Sequence, residues 1–155
     1  MRTYSILFSF FFASAIFFKS CEKKSSDENR MSKKEILVQR PWVVDELYHS
    51  IGGVNSFYRR GGKNTTGVNY DRLRFVFRPD GTGSTTQENG DVYDVSWKFA
   101  PDERSLSLTV YFSSPLTYSW QLLEITKGYI HATVPLIIHG DPNNLESFRL
   151  IQSNQ

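Results

Sequence analysis

A single cysteine, Cys21, stands in 155 residues, which excludes an internal disulfide and any zinc site built on several thiolates. The chain has no G-x-S-x-G nucleophile elbow. Its three histidines, His49, His131 and His139, fall in separate segments without metal-ligand spacing. His139-Gly140-Asp141 offers two ligands in a row and no third. Gly62-Lys63-Asn64-Thr65 lacks the upstream glycine of a phosphate loop, because Phe57 occupies that position. The neighbouring carboxylates Asp45-Glu46 and Asp102-Glu103 would point to opposite faces of a strand, so neither makes a local acid–base pair. No enzyme activity is expected and no cofactor is implied. Only a catalytic site assembled from distant strands would escape this local reading.

An excess of charge of one sign is also missing. Arg2 and Lys19 are the only charges in residues 1–20, so the 18 basic side chains fall to 16 beyond them and equal the 16 acidic ones. A neutral body cannot neutralise phosphates in bulk, and nucleic acid is not an expected partner. Arg59-Arg60 with Lys63, and Arg72, Arg74 and Arg78, form the one basic concentration. It reads first as a solvated strand face and loop, and otherwise as a patch for lipid headgroups, glycan or an acidic partner.

What is present begins with Tyr4–Phe18, an apolar run of about fifteen residues behind the positive charge of Arg2. This is shorter than the roughly 20 residues of a membrane-spanning helix and has the form of a secretory leader. The run ends at Phe18-Lys19-Ser20-Cys21, which resembles the lipobox of bacterial lipoproteins, where a small residue precedes the cysteine that is lipidated. The resemblance implies a signal peptide over 1–20 and palmitate-type acyl chains on Cys21. Such chains contribute about 0.8 kcal/mol per buried methylene and hold a protein firmly to a bilayer. Ala13-Ser14-Ala15 is an alternative cleavage site that would release a soluble protein.

Glu22 to Lys34 is almost devoid of apolar side chains and cannot offset its ordering entropy, so 21–34 is expected to be a flexible tether. Ser32-x-x-Glu35 is a capping box, and Ile36-Leu37-Val38 before Pro41 allows one or two helical turns. From Trp42 the period becomes two. A first strand runs from Trp42 to about Tyr48, and 49–70 reads as a long connection holding Gly52-Gly53 and Gly61-Gly62. Alternating apolar positions then mark strands at Leu73–Phe77, Tyr93–Phe99, Leu106–Phe112 and Ile130–Val134, with a polar strand at Thr82–Thr86 and a last one at Phe148–Ile151. Tyr118, Trp120 and Leu122 share one face, but the pattern then shifts to Leu123 and Ile125, which predicts a bulge. Eight short strands with frequent turn signals make residues 35–155 an all-β domain, a barrel or sandwich with a meander favoured.

Leu37 to Trp42, Phe75-Val76-Phe77-Arg78-Pro79-Asp80-Gly81-Thr82-Gly83, Trp97 and Leu122-Leu123-Glu124-Ile125-Thr126 together resemble the lipocalin-like lipoproteins common in Bacteroidota, over about residues 35–152. The resemblance implies a small eight-stranded antiparallel barrel that binds a small apolar ligand, with the connection 49–70 lying across its open end. The aromatics on inward positions, Trp97, Tyr93, Trp120, Tyr118 and Phe75, are the candidate ligand contacts. Location in the cell envelope, anchored to the outer membrane on its periplasmic or surface face, follows from the leader. The alternative is a protein-interaction module, an accessory subunit or inhibitor that meets an envelope partner through 49–70 and the arginine-bearing strand.

Overall fold

The computed structural model describes residues 31–136 and 144–153; the leader, Cys21, most of the tether and His139 lie outside the described residues. The first element, α1 (Lys33–Leu37), opens with the expected capping box. The Glu35 backbone N–H donates to Ser32 Oγ at 3.2 Å, and the Ser32 N–H donates to the Glu35 carboxylate at 2.7 Å. The helix therefore begins within the stretch read as tether. Its Ile36 and Leu37 are buried, and the Leu37 carbonyl accepts from Trp42 Nε1 at 2.8 Å. That bond satisfies the polar atom of an indole with no exposed surface and fixes α1 against one end of the domain.

Among the described residues nine strands follow: β1 (Trp42–Ile51), β2 (Val54–Arg59), β3 (Arg74–Phe77), β4 (Thr82–Thr86), β5 (Val92–Phe99), β6 (Ser105–Tyr111), β7 (Pro115–Ile125), β8 (Tyr129–Pro135) and β9 (Leu145–Gln152). From β3 onward each pairs antiparallel with the next, β9 returns along β1, and β1 meets β3, which closes an eight-stranded barrel. Strand β2 stands outside this ring. Residues 49–70 are thus not one irregular connection: β1 continues to Ile51 and folds back through Gly52-Gly53 into β2. Both glycines have positive φ, +55° and +78°, as a two-residue turn matched to strand twist requires.

Closure is thin at one seam. Strands β1 and β3 pair only at Trp42↔Phe75 and Val43↔Arg74. Beyond these pairs Arg60 takes over: its Nε donates to the Val44 carbonyl at 2.7 Å and its Nη1 to the Asp71 carbonyl at 3.0 Å. Its backbone N–H donates to the Asp45 carbonyl at 2.8 Å. A guanidinium has enough fixed donors to replace missing ladder bonds. Two bulges bend the wall. One is the shift predicted at Leu122–Glu124 in β7; the other, at Asp45 in β1, carries no sequence signal.

The core fills the α1 end. Phe77 and Trp97 meet edge to face at 5.8 Å, Trp97 and Phe99 at 5.9 Å, and Trp97 Nε1 donates to the Thr82 carbonyl at 2.8 Å. Such ring pairs contribute roughly 0.5–1.5 kcal/mol each beyond the area they bury. The tight packing reaches the backbone at Gly83. A Cβ there would lie 2.1 Å from the Val76 carbonyl oxygen and 2.9 Å from Val95 Cγ2, so no larger residue fits between β3 and β5.

Candidate functional site

Away from α1 the barrel does not fill. Above Trp120 lies a cavity of about 170 Å³, lined by side chains from β1, β3, β6, β7, β8 and β9 and by Tyr70, Leu73, Gln87 and Glu88. Its floor is the buried Trp120 ring, held perpendicular to Phe75 at 5.1 Å and edge to face with Phe148 at 4.8 Å. Its walls mix aliphatic side chains, Val44, Leu108, Val134 and Leu150 among them, with the rings of Phe112 and Tyr118. These positions face inward because the pleat alternates, so the residues that make the strands also line the hollow.

The mouth is polar. His49 on β1 faces Glu146 on β9, with Nε2 2.7 Å from Oε2. The His49 ring stands edge-on to Tyr70 at 6.3 Å, and Tyr70 stands edge-on to the buried Tyr58 at 5.3 Å. Tyr58 donates its hydroxyl to Asp71 Oδ1 at 2.5 Å. Burial, helped by the Asp71 contact, pushes the Tyr58 phenol up to about 12. The bond from Tyr58 holds the Asp71 carboxyl below its usual range. Burial also raises Tyr70 and Tyr118, and the Glu146 carboxylate pushes both further in that direction, joined at Tyr70 by Glu88. At neutral pH both are hydroxyl donors near a carboxylate.

Of the five aromatics expected to contact a ligand, Phe75, Tyr118 and Trp120 line the cavity. Tyr93 sits one layer out, packed against the lining residue Phe112 at 4.7 Å. Trp97 belongs to the packed end, beneath Phe77, where Lys34 Nζ lies 6.0 Å from its ring. The mouth residues His49, Tyr70 and Glu146 were not singled out from sequence as ligand contacts. His49 and Glu146 are 97 residues apart, and no local pattern joins them. Tyr70 is the one residue of 49–70 that lines the cavity.

The basic concentration disperses in three dimensions. Arg59 pairs with Glu46, and Arg60 is built into the seam. Arg149 on β9 pairs with Asp45. Glu46 and Arg149 line an outer concavity of about 370 Å³ together with Tyr48, Phe57, Tyr129 and His131. Among the described residues, no three His, Cys, Asp or Glu side chains are grouped to hold a metal ion. No family model and no curated protein matches this chain. The site therefore rests on geometry alone.

Proposed function

We propose that this protein is an envelope lipoprotein, tethered through lipid on Cys21, whose barrel binds a small apolar ligand above Trp120. The single observation that carries the binding reading is the apolar cavity left open in a barrel whose other end is packed solid. A packed domain keeps few voids larger than a water molecule, so a hollow of this size is unusual as mere imperfect packing. Its volume sets the ligand class. A dry cavity of about 150 Å³ accepts benzene, whereas drug-sized ligands occupy about 300–1,000 Å³. A single ring or a short chain fits; haem and retinoids do not. The anchor is supported by the leader and by the placement of the only cysteine at its end. The protein would then sit on the outer membrane, facing the periplasm or the surface, as a binder and not an enzyme.

Titration with toluene or indole, followed by tryptophan fluorescence, tests the cavity. Saturable quenching is expected, and Val134→Phe, which places a ring in the hollow, should weaken binding about tenfold or more. An unresponsive wild-type protein would reject the reading. For the anchor, intact mass of the mature product should show a start at Cys21 plus acyl chains. A start at Ile16 without lipid sinks it.

One observation favours the interaction reading as a second choice. Val54 is 71 % exposed at the β1–β2 hairpin tip, beside Ile51, and Leu145 is exposed on β9. Deleting 52–67 would remove Tyr58 and Arg60 and so damage the seam. Val54→Asp is the cleaner variant, and loss of a co-purifying envelope protein without loss of fold would support this reading.

A further inference from the structure

We propose that the ligand of this cavity is a small organic amine, its apolar body on Trp120 and its ammonium group at Glu146. This inference rests on the cavity reading and adds the charge of the ligand to it. Among the described residues the lining holds two carboxylates, Glu88 and the mouth residue Glu146, and neither Lys nor Arg. Arginines near the mouth are turned elsewhere: Arg60 donates to the Val44 and Asp71 carbonyls, and Arg72 lies against Gly90.

Among the described residues, the ionisable nitrogen side chain paired with Glu146 is His49. Its Nε2 lies 2.7 Å from Glu146 Oε2 and fixes the orientation of that carboxylate. The side chains of His49 and Glu146 are 17 % and 26 % exposed, so the carboxylate is sheltered but reachable. Around it stand the rings of Tyr70, Tyr118 and Phe148, whose faces attract a cation. Burial, and after it the Glu146 carboxylate, keeps the Tyr70 and Tyr118 hydroxyls protonated. A carboxylate ligand would meet repulsion at this mouth, and a neutral one would forgo the charge-assisted bond.

Calorimetric titration with benzylamine, benzyl alcohol and benzoate near pH 7 separates the possibilities, since the three share one ring and differ in head-group charge. Benzylamine should bind about tenfold or more tighter than benzyl alcohol, and benzoate weakest of all. Glu146→Gln should bring the ratio of benzylamine to benzyl alcohol affinity close to one. Equal affinity for amine and alcohol, or a preference for benzoate, overturns the amine assignment and leaves the cavity reading intact. Failure of all three probes overturns both. A preference that survives in Glu146→Gln and is lost in Glu88→Gln would overturn the placement at Glu146. Should Glu146→Gln fail to fold by thermal melting, the wild-type series still decides between amine and alcohol.

Discussion

The two ends of the barrel are made by the same strands and filled by opposite means. At the α1 end Trp42, Trp97, Phe77 and Phe99 interlock, indole nitrogens are satisfied by backbone carbonyls, and Gly83 lets β3 and β5 close in. At the other end the inward positions are held by His49, Glu146, Tyr70 and Tyr118, and about 170 Å³ stays unfilled. Rings that meet edge to face exclude water and build stability. Polar side chains cannot fill a hollow without losing their own partners, so they stay near the rim and leave space beneath. Stability is thus concentrated where α1 docks, and the proposed binding site lies where it does not.

Mutation can break that contrast, and the greatest loss is expected at the packed end. Trp42→Ala should cost about 4 kcal/mol in denaturant unfolding, whereas Tyr118→Ala at the mouth should cost about 1 kcal/mol. Similar costs at both ends would end the distinction. Gly83→Ala should follow at about 2–3 kcal/mol, since the new methyl group would press on the Val76 carbonyl. Ser32→Ala removes one half of the capping box and should cost about 1 kcal/mol. A cost near zero would mean that α1 is held by Ile36 and Leu37 alone.

The smallest effect concerns pH at the mouth. Tyr58 has its phenol raised to about 12 in the folded state, against 10.0 ordinarily. Folding therefore favours the neutral form. This contribution is full below about pH 10 and is lost as pH rises through about 12. Melting temperature should fall over that window, and Tyr58→Phe should flatten the fall in part. Some slope should remain because Tyr70 and Tyr118 are shifted in the same sense. An unchanged slope would show that Tyr58 ionises as freely folded as unfolded.

Much of this architecture could be read along the chain. Leu106, Leu108 and Val110 alternate with polar residues and lie buried in β6, and the shift after Leu122 marks a real bulge. The capping box at Ser32 and Glu35 forms as its spacing requires. The Gly52-Gly53 hairpin was legible in principle, being a turn signal between Ile51 and Val54, but the length of 49–70 obscured it. The seam was not legible. Nothing near Arg60 announces that its guanidinium will bind the carbonyls of Val44 and Asp71. The candidate ligand set divided for the same reason: Phe75, Trp97 and Trp120 share an inward parity, and parity does not tell height along the barrel axis.

Alternation and turn chemistry are local, set by which face of the pleat a side chain takes and by which residues tolerate a reversal, and so the sequence alone determined an all-β meander with an aromatic interior. How far up the barrel each ring sits depends on strand tilt and register, which are fixed only when β9 closes on β1. That closure places His49 beside Glu146, and the β5–β6–β7 registers set Trp97 and Trp120 two residues apart along the wall. Because long-range pairing decides what the inward positions enclose, only the tertiary structure could show that one end is solid and the other hollow.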